Sequence, residues 1–88
     1  LERDIEAYLV KRVKALGGMA YKFVSPSNRG VADRLVVLPG QIWFVEVKQE
    51  TGRLTALQAL FMEQMKRMGH NAIVVWSKED VDKWIANL

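Results

Sequence analysis

Asp33-Arg34-Leu35-Val36-Val37-Leu38-Pro39-Gly40-Gln41-Ile42-Trp43-Phe44-Val45-Glu46-Val47-Lys48 is the stretch that decides the fold. Two apolar runs flank a Pro39-Gly40 step, and that step predicts a tight antiparallel hairpin with strands over Ala32 to Leu38 and Gln41 to Lys48. Both strands read as buried on both faces. Folding the hairpin brings the start of the first strand beside the end of the second, so Asp33 and Glu46 become neighbours. Side chains alternate along a strand, which puts Glu46 and Lys48 on one face and Val45 and Val47 on the other. Two carboxylates and an ammonium then meet at one end of a sheet. That grouping suits a divalent cation with a lysine beside it, and such a site suits phosphodiester cleavage.

Outward from the hairpin, Ile5, Leu9, Val13 and Leu16 recur at helical spacing from Glu2 to about Leu16, and Gly17-Gly18 ends that helix. Met19 to Ser25 reads as a first strand, and Pro26-Ser27-Asn28-Arg29-Gly30 as a polar loop leading into the hairpin. After a turn over Gln49 to Arg53, Leu54 to Met68 carries Leu57, Leu60, Phe61, Met65 and Met68 on a second helix stopped by Gly69. Asn71 to Trp76 is a short strand, and Ser77 caps a last helix through Asn87. The order αβββαβα, with a helix available as a crossover, predicts an α/β fold: a mixed four-stranded sheet flanked by helices.

The 88 residues make one small domain with half its residues apolar, so the chain is globular and needs no second core. Without cysteine there is no disulfide, thiolate ligand or thiol nucleophile, and one histidine, His70, is the sole imidazole. A metal would be held by oxygen, which favours magnesium or manganese over zinc, with calcium as a non-productive competitor. The net charge of +3 permits a polyanionic partner. No stretch matches a membrane span, and no glycine loop for a nucleotide cofactor is present.

Taken singly, Asp33 is an ordinary solvated strand-end residue. Glu46 and Lys48 interrupt a hydrophobic strand, where charge is expensive unless paired or liganded, and a structural Glu46–Lys48 ion pair is the plain alternative. Placing Asp33 beside them tips the reading toward a functional site. Gly30-Val31-Ala32-Asp33 followed by Glu46-Val47-Lys48 resembles the G-x-x-D…(D/E)-x-K signature of the PD-(D/E)XK nuclease superfamily. With Ile5-Glu6, Ala20 to Pro26, Asn28-Arg29-Gly30 and Gln58, the chain is similar more narrowly to the stand-alone VRR-NUC domains of phages. Ala32 stands where that family often has proline, which relaxes the loop without removing chemistry.

The resemblance implies a restriction-endonuclease-like core and a metal-dependent DNA endonuclease. Asp33, Glu46, the Val47 carbonyl and Glu6 would hold magnesium or manganese, Lys48 would lie against the attacked phosphate, and Gln58 would lie near the site. Lys48 either orients or deprotonates water or stabilises charge in the transition state; the sequence leaves both open. Glu2, one turn before Glu6 on the same helical face, competes with it. Lys22, Arg29, Arg34 and Arg53 border the proposed site and are candidates for the DNA backbone, against the alternative of solvated surface charge. So small a surface favours selection of DNA by shape, with four-way junctions the natural substrate and other nuclease specificities or a non-catalytic DNA-binding module as alternatives. Symmetric junction cleavage implies a homodimer, for which Phe61, Met62, Met65, Met68 and Trp76 are the candidate interface. The expected location is the cytoplasm of a bacterial or phage-infected cell.

Overall fold

The computed structural model describes residues 1–88. Its elements are α1 (Glu2–Ala15), β1 (Met19–Lys22), β2 (Arg34–Leu38), β3 (Gln41–Val47), α2 (Ala56–Arg67), β4 (Asn71–Val75) and α3 (Lys78–Ala86). The sheet order is β1-β2-β3-β4, antiparallel at the first two pairings and parallel at the third, so the expected mixed sheet is present. Leu38 pairs with Gln41 across Pro39 and Gly40. Proline presets the first turn position, and Gly40 takes the left-handed φ of 78° that the second requires.

Alternation sorts the hairpin between two layers. Val36 and Leu38 of β2 and Val45 and Val47 of β3 join Ile5, Leu9 and Val13 of α1 and Val81 and Trp84 of α3 in the larger core. On the other face Phe44 packs with Phe23 and Phe61, ring centroids 5.5 to 6.2 Å apart, around Ala32, Met62 and Ala72 under α2. The α1 and α3 helices are tied at the surface by the Tyr8 hydroxyl, which donates to Asp82 at 2.6 Å, and by Arg12, which pairs with the same carboxylate.

Several expected boundaries shift for identifiable reasons. The first strand ends at Lys22 rather than Ser25; one further bond, Phe23 N–H to the Asp33 carbonyl at 3.0 Å, closes the ladder. Pro26, which has no N–H, then enters a turn in which Asn28 bonds back to Ser25. β2 begins at Arg34 rather than Ala32, because the side chain of Asp33 takes over the bonding to β3. α2 begins at Ala56 because Thr55, with extended backbone, is its cap. Ile42, near the hairpin tip, is exposed rather than buried on both faces. Of the apolar residues expected at an interface, Met62 is buried in the chain's own core and Phe61 belongs to the aromatic cluster; Met68, just past the end of α2, is exposed, as are Leu57 and Leu60 on the helix.

Candidate active site

The hairpin register opposes Arg34 to Val45, so one step further along, Asp33 stands beside Glu46. The two acids are cross-linked reciprocally. The Asp33 N–H donates to Glu46 Oε1 at 3.1 Å, and the Val47 N–H donates to Asp33 Oδ2 at 2.9 Å. Side-chain carboxylates thus take the place of the ladder bonds that β2 and β3 would otherwise make here. Glu46 Oε2 accepts from Gln58 Nε2 at 3.1 Å and lies 3.8 Å from Lys48 Nζ. The expected grouping of Asp33, Glu46, Lys48 and Gln58 therefore forms, on the α2 face, as alternation requires.

Glu46 is 1% exposed, the one charged side chain that the fold buries. Burial, reinforced by the neighbouring Asp33 charge, pushes its carboxyl up to about 7 from 4.5, against the pull of Lys48 and the Asp33 N–H. Asp33 is also raised, first by burial and then by the charges of Glu6 and Glu2, although the Val47 N–H and Lys48 oppose the shift. Two desolvated acids that each resist ionising are deficient in positive charge, and a cation between them relieves both.

The donors present fit a hard cation. Both carboxylates are oxygen ligands, Asp33 Oδ1 has no hydrogen-bond donor, and the Val47 carbonyl receives no bond from the Gly30–Asp33 segment. Glu6 does not converge with them. Its Oε2 accepts from Arg34 Nε at 2.8 Å, while Arg34 Nη1 donates to the Ala20 carbonyl at 3.0 Å. Arg34 shares the alternation of Val36 and Leu38 and so faces α1; it is spent inside the fold rather than offered to a DNA backbone. No group of three acidic or imidazole side chains forms a ready metal cage. The charges of Glu6 and Glu2 both raise Asp33, and that of Glu2 also raises Glu46.

Lys22, Arg29 and Arg53 are exposed and make no ion pair. Arg29 lies on a groove of about 360 Å³ between the loop before Gly30 and the outer side of α2, lined by Phe23, Leu57, Leu60 and Phe61 among others. Gly30 explains why that loop is held so close. Its φ is 84°, and a Cβ there would stand 2.6 Å from the backbone of Leu57. Only glycine lets the segment carrying Asp33 lie against the first turn of α2, which carries Gln58. Ala32 is buried beside Met62 and Ala72.

Two residues escaped the sequence reading. Thr55 caps α2, and its signal was the Thr55-x-x-Gln58 spacing of a capping box. The inward role of Arg34 was legible in its alternation with Val36 and Leu38. His70 closes the end of α2 through its N–H to the Met65 carbonyl, as a turn residue should.

No family model matches the chain. It is 47% identical over 79 residues to "Putative nuclease p44" of Acyrthosiphon pisum secondary endosymbiont phage 1, covering 89% of this chain and 85% of that protein. A solved structure described as a VRR_NUC domain superposes with a TM-score of 0.91 at 39% identity, covering 97% of this chain and 94% of its own. With the αβββαβα core and the hairpin-borne acids in place, these relationships show that the chain belongs to the VRR-NUC family.

Proposed function

We propose that the protein is a divalent-metal-dependent DNA endonuclease that selects branched substrates, four-way junctions foremost. The observation that carries the reading is the reciprocal Asp33–Glu46 cross-link, half-buried at Asp33, fully buried at Glu46 and short of positive charge, with Lys48 at its edge. Asp33, Glu46 and the Val47 carbonyl would hold magnesium or manganese, with Glu2 and Glu6 as an outer acidic margin. When bound, the ion supplies charge neutralisation at the phosphate and a lowered pKa for water. Lys48, beside Glu46, would meet the attacked phosphate and offset negative charge that develops there. Gln58 holds the Glu46 carboxylate in place by donation to Oε2. Lys22, Arg29 and Arg53, free of internal partners, contact the DNA backbone on either side.

A homodimer would place two such sites in the fixed relation that paired cuts need. Its support is apolar and main-chain surface left over by the fold. Leu57 and Leu60 of α2 and Met68 just past its end are 49%, 46% and 61% exposed, and no strand covers the outer edge of β4. Sedimentation at micromolar concentration without DNA should give a dimer; a monomer there removes this part of the proposal.

The activity is tested with labelled four-way junction and matching linear duplex in magnesium, manganese or calcium, alongside Lys48→Ala. Paired symmetric cuts confined to the junction, made in magnesium and manganese and reduced by about 10²-fold or more in the variant, are expected. Equal cutting of both substrates would leave a nuclease without junction selectivity. Tight binding with no cutting in any metal would mean a DNA-binding module.

A further inference from the structure

We infer that Thr55 is a positioning residue of the active site, which it serves by fixing the direction of the Gln58 amide. The inference goes beyond the metal site proposed above, and it rests on that reading only for its consequence on metal affinity. Thr55 and Gln58 form a complete capping box: the Gln58 N–H donates to Thr55 Oγ1 at 3.1 Å, and the Thr55 N–H donates to Gln58 Oε1 at 2.9 Å.

A capping box accepts glutamate or glutamine equally at its third position. Here the two ends of the side chain have opposite duties. The end facing Thr55 must accept, and the end facing Glu46 Oε2 must donate. Glutamate meets the first demand and fails the second, because it would set a carboxylate against a buried carboxylate. With Oε1 held by the Thr55 N–H, the amide cannot turn over, so Nε2 is the atom presented to Glu46. The same turn of α2 is also pinned where Gly30 lies against the Leu57 backbone. A frayed first turn would release Gln58 from both restraints and leave Glu46 Oε2 with Lys48 at 3.8 Å as its nearest donor.

The test compares the wild type with Thr55→Ala, Thr55→Ser and Thr55→Gly; glycine preserves most of the cap's helix-starting strength without the hydroxyl. In metal-free protein, NMR follows solvent exchange of the Gln58 side-chain amide protons, and calorimetry follows manganese binding without DNA. Thr55→Ala, which frays the first turn, should speed amide exchange by about tenfold or more and weaken manganese binding by about tenfold, the effect typical of a lost partner to a metal ligand, whereas Thr55→Gly, which keeps the main-chain N–H that holds Gln58 Oε1 and most of the capping strength, should change both much less. Thr55→Ser should restore both. Unchanged amide exchange and manganese affinity in Thr55→Ala, with only a lower melting temperature, would overturn the inference and leave Thr55 a helix cap. Absence of manganese binding by the wild type, with amide exchange still responding to Thr55, would support the positioning role and overturn the metal reading instead.

Discussion

Asp33→Asn should abolish DNA cleavage, by about 10³-fold or more, while making the metal-free protein more stable at pH 8. The two effects come from one cause. Asparagine keeps an oxygen to accept from the Val47 N–H, so the hairpin mouth stays closed. It removes a negative charge that lifts the Glu46 carboxyl toward about 7, so Glu46 ionises at lower cost. Because each pKa unit corresponds to about 1.4 kcal/mol, a gain of about 1 kcal/mol or more in metal-free stability is reasonable. The same substitution takes away half of the anionic pair that would hold the ion, and with it the charge neutralisation on which cleavage depends. Chemical denaturation with chelator at pH 8, set against junction cleavage in magnesium, reads both. A variant that keeps cleaving would remove Asp33 from the site, and one that loses stability would refute the account of the paired charges.

The second large effect is the dependence of metal-free stability on pH. The folded protein raises Glu46 from 4.5 to about 7 and shifts Asp33 in the same direction. A carboxyl whose pKa is higher in the folded state prefers its proton there. Its contribution is therefore fully present below about pH 4.5 and is lost as pH rises toward and through 7. The Glu46 shift alone is worth about 3 kcal/mol. For a domain of this size that corresponds to a fall in melting temperature of roughly 15 °C between pH 5 and pH 8. Saturating manganese should flatten the profile, because it stabilises the ionised pair and adds binding energy to the folded state alone. A profile in chelator that stays level from pH 5 to pH 8 would show that the acids ionise freely in the fold.

The sequence disclosed the centre of this site better than its margins. Asp33, Glu46 and Lys48 were legible because a two-residue turn and a period-two alternation leave one arrangement for the hairpin, and that arrangement is the one observed. The limits of β1 and β2 were not, since side chains of Asp33 and Glu46 replace backbone bonds at the strand ends, and propensity says nothing about such an exchange. Glu6 and Arg34 were assigned separately, one to a metal and one to DNA. The structure pairs them with each other, a contact between residues 28 positions apart that depends on how α1 lies across the sheet. Thr55 fell within a stretch read as continuous helix, although its spacing to Gln58 carried the signal.

The Pro39-Gly40 turn lies at the far end of the hairpin from the acidic pair, and its length decides which layer of the molecule the pair belongs to. One added residue, if drawn into the strand rather than held in a longer loop, would slip β3 by a single position. Glu46 would then face the layer shared with Leu9 and Val13, and Val45 or Val47 would stand under Gln58. The chemistry is thus encoded partly in a bend of the chain remote from any substrate, and loops grafted at this tip must hold every added residue outside the strands.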